Sequence, residues 1–258
     1  MNILMVGDVV GENGCSYLSR TLPKLRRECE ADAVIVNGEN SAKGNGITPQ
    51  SAEMLFSAGA DVITTGNHCF RRRCESLFDE NPRILRPANY PDGTPGSGVC
   101  VLDLGKTSLA VINLMGTAFM EPLDNPFAVI DTLLESIETR CILVDFHAEA
   151  TAEKRALGYY LAGRVSAVIG THTHTQTADE ECIDGKTAYI SDVGMVGAQR
   201  SVLGVCPEQA IQKQRFHTPV QFTEADGPCI LGAVCLSIDS KTGNSNKIRR
   251  IILKDVTN

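Results

Sequence analysis

A chain of 258 residues that is 43% hydrophobic can build a sizeable core, and with 5% aromatics and no Trp it must do so from Val, Ile, Leu and Ala. A formal charge of −7 argues against a nucleic-acid-coating surface, though not against a nucleotide held by metal ions in one cleft. Ten cysteines without a Cys-x-x-Cys pair, several in apolar runs (Cys100, Cys141, Cys235), and an opening that meets Asp8 after Met1 to Val6 fit a reduced, cytoplasmic protein. No apolar run approaches membrane-spanning length.

Asn2 to Val6 reads as a buried strand that stops at Gly7-Asp8. Leu18, Leu22, Leu25 and Cys29 fall on one helical face, so a helix is expected over Tyr17 to Cys29, with Pro23 as a cause for a late start or a bend. Ala33 to Val36 is the second strand and ends at Asn37-Gly38-Glu39-Asn40. Past a loop at 43–46, Thr48 with Pro49 opens a helix to about Ala58. Asp61 to Thr64 is a third strand, ending at Gly66-Asn67-His68, and a short helix is expected over Arg71 to Glu80.

Residues 81–98 hold four prolines and read as surface turns. Val99 to Leu104 and Ser108 to Asn113 form a hairpin, and Asn125-Pro126 opens a helix reaching Glu138. Cys141 to Phe146 is a strand stopping at His147, and Thr151 is placed to cap a helix to Ala162. Val165 to Ile169 is a strand that delivers His172 and His174 in Gly170-Thr171-His172-Thr173-His174, followed by a strand over Thr187 to Ile190. Residues 197–228 yield no element, and two strands, Cys229 to Ile238 and Lys247 to Leu253, close the chain. No repeat or linker divides it, so residues 1–258 read as one α/β domain.

The informative pattern is positional. Five apolar strands each end in a residue able to bind a metal: Asp8, Glu39 with Asn40, Asn67 with His68, His147, and His172 with His174. In α/β sheets, sites form outside the carboxyl ends of strands. Imidazoles with carboxylates and carboxamides suit Mn, Fe or Zn better than Ca or Mg. The set is large enough for two ions, the usual apparatus for in-line attack on phosphorus. A closed structural zinc site, commonly rich in thiolate, does not look like this.

The blocks Gly7-Asp8, Asn37-Gly38-Glu39-Asn40, Gly66-Asn67-His68, Asp145-Phe146-His147-Ala148-Glu149-Ala150 and Gly170 to His174 resemble, in order, those of the calcineurin-like metallophosphoesterases. Ser191-Asp192-Val193-Gly194-Met195 and Gly204-Val205-Cys206-Pro207-Glu208 narrow the resemblance to the YmdB-type branch and extend it over nearly the whole chain. The resemblance implies a four-layer α/β/β/α sandwich and a dimetal phosphodiesterase of small cyclic nucleotides, 2′,3′-cyclic nucleotides among them. By the matching blocks, Asp8, Glu39, Asn40 and His174 would hold one ion and Glu39, Asn67, His147 and His172 the other. The ions would be divalent or mixed-valence, Fe or Mn with Zn as the alternative, and would activate a bridging water. Self-association is implied by the resemblance alone.

Two departures concern substrate choice. Cys69-Phe70-Arg71 stands where the branch commonly carries Trp and Asp, and Gly197 to Arg200 replaces a Gly-Pro-Tyr-Asp-like run. His68 is the candidate general acid for the departing ribose oxygen. Asp145 and Glu149 either orient His147 from behind or face elsewhere, and Asp192 is equally open. Arg71-Arg72-Arg73 reads as a solvated helix face rather than an anion-greeting rim. Gly11-Glu12-Asn13-Gly14 lacks the Lys-Ser/Thr ending of a phosphate loop. The rivals are a phosphomonoesterase on the same metals and a non-catalytic protein that binds nucleotide or RNA.

Overall fold

A computed structural model of the chain describes residues 1–255. The first half runs β1 (Asn2–Val6), β2 (Asp8–Val9), α1 (Gly11–Glu28), β3 (Ala33–Asn37), α2 (Pro49–Ala58), β4 (Val62–Thr64), α3 (Ser76–Glu80), β5 (Val99–Asp103) and β6 (Ser108–Met115). The second runs α4 (Pro126–Ser136), β7 (Cys141–His147), α5 (Thr151–Tyr160), β8 (Ala167–Thr171), β9 (Glu181–Ile183), β10 (Thr187–Ile190), β11 (Met195–Ala198), α6 (Pro207–Phe216), β12 (Cys229–Ile238) and β13 (Ser245–Lys254).

Strand alternation sorts the apolar residues into three cores. Leu4 and Val6 of β1 and Val34 and Val36 of β3 face outward and pack with Leu18, Leu22 and Leu25 of α1 and Leu55 of α2. Ile3, Met5 and Ile35 face inward, against Leu109, Val111, Leu143 and Ile169 of the other sheet. Beyond that sheet, Ile112, Val144, Phe146 and Val168 meet Ile130 of α4 and Leu157 of α5. The result is a four-layer α/β/β/α sandwich in which central strands are apolar on both faces because both faces are covered.

The two sheets pack face to face, and the strand ends that carry the site open at one edge of the sandwich. In the first, β12 is the spine: β13 lies along one side, while β1 and β11 share the other, with Val6 opposite Ala233 and Val196 opposite Leu231. β1, β3 and β4 run parallel. In the second sheet β6, β7, β8 and β10 are parallel, with β5 and β9 antiparallel at its edges. The carboxyl ends of β1, β3, β4, β7 and β8 therefore open together.

Several expectations are corrected. Helix α1 starts at Gly11, not Tyr17, and runs through Pro23. Gly14 permits the early start, since a Cβ there would lie 2.4 Å from the Val196 carbonyl oxygen of β11. Thr151 is the first residue of α5 rather than its cap; Ala150 holds the cap position without a side-chain bond. Only Ser76–Glu80 of the Arg71 to Glu80 stretch is helical, and Arg72 is no solvated helix residue: its Nε donates to the Asn45 carbonyl at 2.9 Å and its guanidinium reaches the Lys43 carbonyl. The Thr48–Pro49 start of α2 is as read, with Ser51 closing a reciprocal cap. No helix among the described residues is long and apolar enough to cross a membrane. All ten cysteines are free thiols.

One buried ion pair ties the second sheet's helix layer to the site. Lys154 of α5 places Nζ 2.9 Å from Asp192 Oδ2, and both side chains are almost wholly buried. The same carboxylate accepts from the Thr173 and Gly194 amides, each at 2.9 Å, and so holds the His172–His174 loop from below. Removing one partner of a buried pair leaves an uncompensated charge. Lys154→Met is therefore expected to lower unfolding free energy by about 3–5 kcal/mol in urea titration; a loss within experimental error would mean that Asp192 needs only its amide donors.

Candidate metal centre

The residues expected at the site all arrive at one edge of the sandwich. Asp8, Glu39, Asn40 and His147 are buried, while Asn67, His68, His172 and His174 are partly exposed and form the mouth. Two main-chain features make the approach possible. Gly66, two residues past β4, lets the chain pass the His147 ring, since a Cβ there would fall 2.1 Å from its Cδ2. His172 and His174 adopt φ of 104° and 62°, a left-handed backbone that costs a non-glycine residue about 1–3 kcal/mol. The alternation of the two histidines thus does not continue strand geometry. The chain leaves the strand after Thr171, and bonds from the His172 and Thr173 amides to Asp8 and Asp192 hold the bend.

Two groups of polar side-chain atoms result. In one, His147 Nε2 lies 3.2 Å from Glu39 Oε2, 2.9 Å from Asn67 Oδ1 and 3.0 Å from His172 Nδ1. Glu39, His147 and His172 each offer a ligand atom within 4.8 Å of the others. In the other, His174 Nε2 is 3.6 Å from Asp8 Oδ1 and 3.2 Å from Asn40 Nδ2, which donates to Glu39 Oε1 at 3.0 Å. Glu39 belongs to both. Asp8 Oδ1 is buried without a hydrogen-bond partner. A buried carboxylate oxygen that makes no hydrogen bond and has only His174 near it, at 3.6 Å, is open to a cation, so the donor set fits metal ions.

The electrostatics tie these groups to one another and keep both carboxylates ionised, as ligands must be. Burial pushes the Glu39 carboxyl up, but His147 and His68 outweigh it and hold it well below the usual carboxylate range. Burial likewise raises Asp8, and His174 with His147 brings it below its ordinary value. Burial lowers His174, yet Asp8 and the Leu203 carbonyl lift it to about 9. Burial also lowers His147, and Glu39 more than reverses it. His172 is lowered, by burial and then by His147.

A relay behind His147 sets its tautomer. Thr171 donates to Asp145 Oδ1 at 2.7 Å, so the Thr171 hydroxyl oxygen is left to accept from His147 Nδ1 at 2.9 Å. With Nδ1 protonated, Nε2 presents its lone pair to the site. Asp145 also accepts from Thr64 and from Asn37 Nδ2, and burial still pushes it up to about 6 against those bonds. Part of this is visible in sequence: Asp145 and His147 sit two apart on one strand and share a face. That Thr171 stands beside His147 is a matter of β7–β8 register. Glu149, equally open from the sequence, reaches His172 Nε2 at 3.0 Å.

His68 turns Nδ1 inward, 2.9 Å from Asn40 Oδ1 and 3.2 Å from Glu39 Oε1. Both partners are acceptors, so Nδ1 carries a proton and Nε2 is the ring atom left for a ligand. His217, the fifth histidine, ends α6 and takes no part in this cluster.

The family model described as "YmdB-like protein" matches residues 4–251. The chain is 45% identical over 258 residues to a Bacillus subtilis (strain 168) protein named "2′,3′-cyclic-nucleotide 2′-phosphodiesterase", covering 99% of this chain and 98% of that one. A crystal structure of a hypothetical protein from Thermus thermophilus superposes with a TM-score of 0.94 at 39% identity, covering 99% of this chain and 100% of that one. A structure titled as a novel phosphatase from Mycoplasma pneumoniae gives 0.94 at 32% identity, covering 99% and 94%. The fold is of the calcineurin-like phosphoesterase type, and the chain belongs to the YmdB-like family.

Proposed function

We propose that the chain is a metal-dependent phosphodiesterase that hydrolyses small nucleotide diesters, 2′,3′-cyclic nucleotides in particular. The observation that carries this reading is a buried Asp8 Oδ1 without a hydrogen-bond partner beside the Glu39–His147–His172 cluster, whose His172 amide bonds the other Asp8 oxygen. The name of the Bacillus subtilis relative supports the substrate class. Asp8, Asn40 and His174 would hold one ion, Asn67, His147 and His172 a second, and Glu39 both. Fe or Mn suits these mixed nitrogen and oxygen ligands, with Zn as the alternative. When bound, two such ions supply an activated water, charge neutralisation and orientation of the phosphate.

The chain's own residues do the rest. Asp145, through Thr171, keeps the His147 Nε2 lone pair aimed at the site, and Glu149 does the same for His172 from its Nε2 side. Asn40 and Glu39 fix the His68 ring so that Nε2 faces outward. As the water oxygen bonds to phosphorus, its proton passing to solvent, and the P–O bond to the ribose breaks, a His68 protonated at Nε2 as well as Nδ1 gives the Nε2 proton to the departing ribose oxygen. A leaving group that is already acidic, such as p-nitrophenolate, needs no such proton delivery, so loss of His68 would spare p-nitrophenyl phosphate more than a ribose diester.

Hydrolysis of 2′,3′-cyclic AMP with added Mn, beside p-nitrophenyl phosphate, tests the reading. Turnover of the diester is expected, with kcat/KM falling by more than about a hundredfold in Glu39→Gln. Turnover of the monoester alone would make the chain a phosphatase. Silence on both in protein shown to carry two ions would overturn catalysis. Thr171→Val removes the hydroxyl behind His147 and is expected to weaken Mn binding by the ion-free protein by about ten- to a hundredfold. Unchanged affinity in a calorimetric titration would mean that packing alone orients the ring.

A further inference from the structure

Phe119 is out of place for a side chain of its kind. It is 93% exposed in a chain with few aromatics and no Trp, and its backbone sits in the left-handed region at φ 62°. An exposed phenyl ring and a strained backbone are both unfavourable, and neither repays the other within this chain. The segment that carries it is nonetheless fixed. The Gly116 amide donates to the His147 carbonyl oxygen at 2.9 Å, the Thr117 and Ala118 amides donate to the Glu153 carboxylate, and the Glu149 amide meets Met120 Sδ at 3.3 Å. Glu149 in turn contacts His172 Nε2. Phe119 therefore projects from a segment clamped on both sides to the residues of the metal centre.

We propose that Phe119 is the stacking platform for the substrate's nucleobase, at the His147–His172 side of the cleft mouth. The inference rests on the phosphodiesterase reading for the phosphate and adds to it the subsite for the base. The cluster of lone pairs and imidazoles can hold a phosphate but offers no flat apolar face for a purine or pyrimidine. A nucleobase brings a π-face that an exposed ring can cover whatever the base, at a worth of about 1–3 kcal/mol per stack when measured by alanine substitution. Stacking on a ring held outside the charged centre would leave Glu39 and His68 free for the phosphate and the ribose oxygen. It also gives the left-handed turn a purpose: a right-handed residue at that position would direct the side chain elsewhere. The opposite wall has a comparable residue in Leu203, exposed at φ 55° with its carbonyl bonded to His174 Nδ1 at 2.9 Å, but an aliphatic side chain supplies contact and no π-face.

The test compares 2′,3′-cyclic AMP with glycerol 1,2-cyclic phosphate, the same five-membered cyclic diester without a base. The quantity read is the ratio of kcat/KM for the two, in the parent chain, Phe119→Ala, Phe119→Tyr and Leu203→Ala. Phe119→Ala is expected to lower the ratio by about 5- to 100-fold, mainly through KM for the nucleotide, and Phe119→Tyr to restore it. An unchanged ratio, or a fall seen only in Leu203→Ala, overturns the platform. Calorimetric binding of AMP to the same proteins separates this inference from the reaction itself. AMP binding that weakens in Phe119→Ala and recovers in Phe119→Tyr upholds the platform even if neither diester is turned over. Binding indifferent to the substitution refutes it. Sedimentation decides the remaining alternative: an assembly that Phe119→Ala dissociates would place the ring in a self-interface and overturn the inference.

Discussion

Beside the Lys154-paired Asp192, three carboxylates are buried at one edge of this sandwich, and most of the local structure exists to make that tolerable. A buried carboxylate without partners costs several kcal/mol. Each of the three is answered differently. Glu39 faces His147 and His68 and accepts from the His68 amide and from Asn40. Asp145 collects Thr64, Thr171 and Asn37. Asp8 accepts the His172 amide with one oxygen and leaves the other without a hydrogen-bond partner. The progression from fully paired to half-paired runs from the support of the site to its working face, where a bound cation would take up the remaining charge.

The architecture places these groups by simple means. Parallel strands end at the same edge, and two sheets packed face to face put two such edges side by side. Residues just past the last apolar position of each strand then face one another across a few ångströms. What this does not supply is direction, and direction is obtained at a cost. The His172–His174 loop is held in left-handed backbone by Asp8, Asp192 and, through Asp192, the buried Lys154. Strain at a site persists where the surroundings over-determine it. Here the surroundings include an ion pair whose two members lie on α5 and in the turn before β11, so helix packing and site geometry are coupled.

The strands that build the site were legible because each is a short apolar run ended by a glycine or a polar residue, and the paired changes of character at Asp8, Asn37 to Asn40, Gly66 to His68 and His147 marked where each one stops. Residues 197–228 were not, and the structure gives the reason. Strand β11 is four residues long and half glycine and alanine, and α6 opens without a side-chain cap and buries only Ala210. An element that contributes so little apolar surface leaves little periodicity to read. The opening of α1 misled in the opposite sense: Gly11 and Gly14 look like a loop by propensity, and their lack of side chains is what lets the helix lie against β11.

The sequence by itself determined the order of the strands and helices other than β2, β9, β11 and α6, the chemical character of the candidate metal centre, and the residues Asp8, Glu39, Asn40, Asn67, His68, His147, His172 and His174 that meet there, because strand ends and ligand-bearing side chains are local properties of the chain. Only the tertiary structure decided how each is supported. Asp145 stands behind His147 because β7 and β8 pair in the register that sets Thr171 beside it, and Glu149 turns to His172 rather than to solvent. The orphaned oxygen of Asp8 and the exposed ring of Phe119 are likewise facts about neighbours. Register, neighbourhood and burial are relations between distant segments, and no local pattern in one segment encodes what another will bring to it.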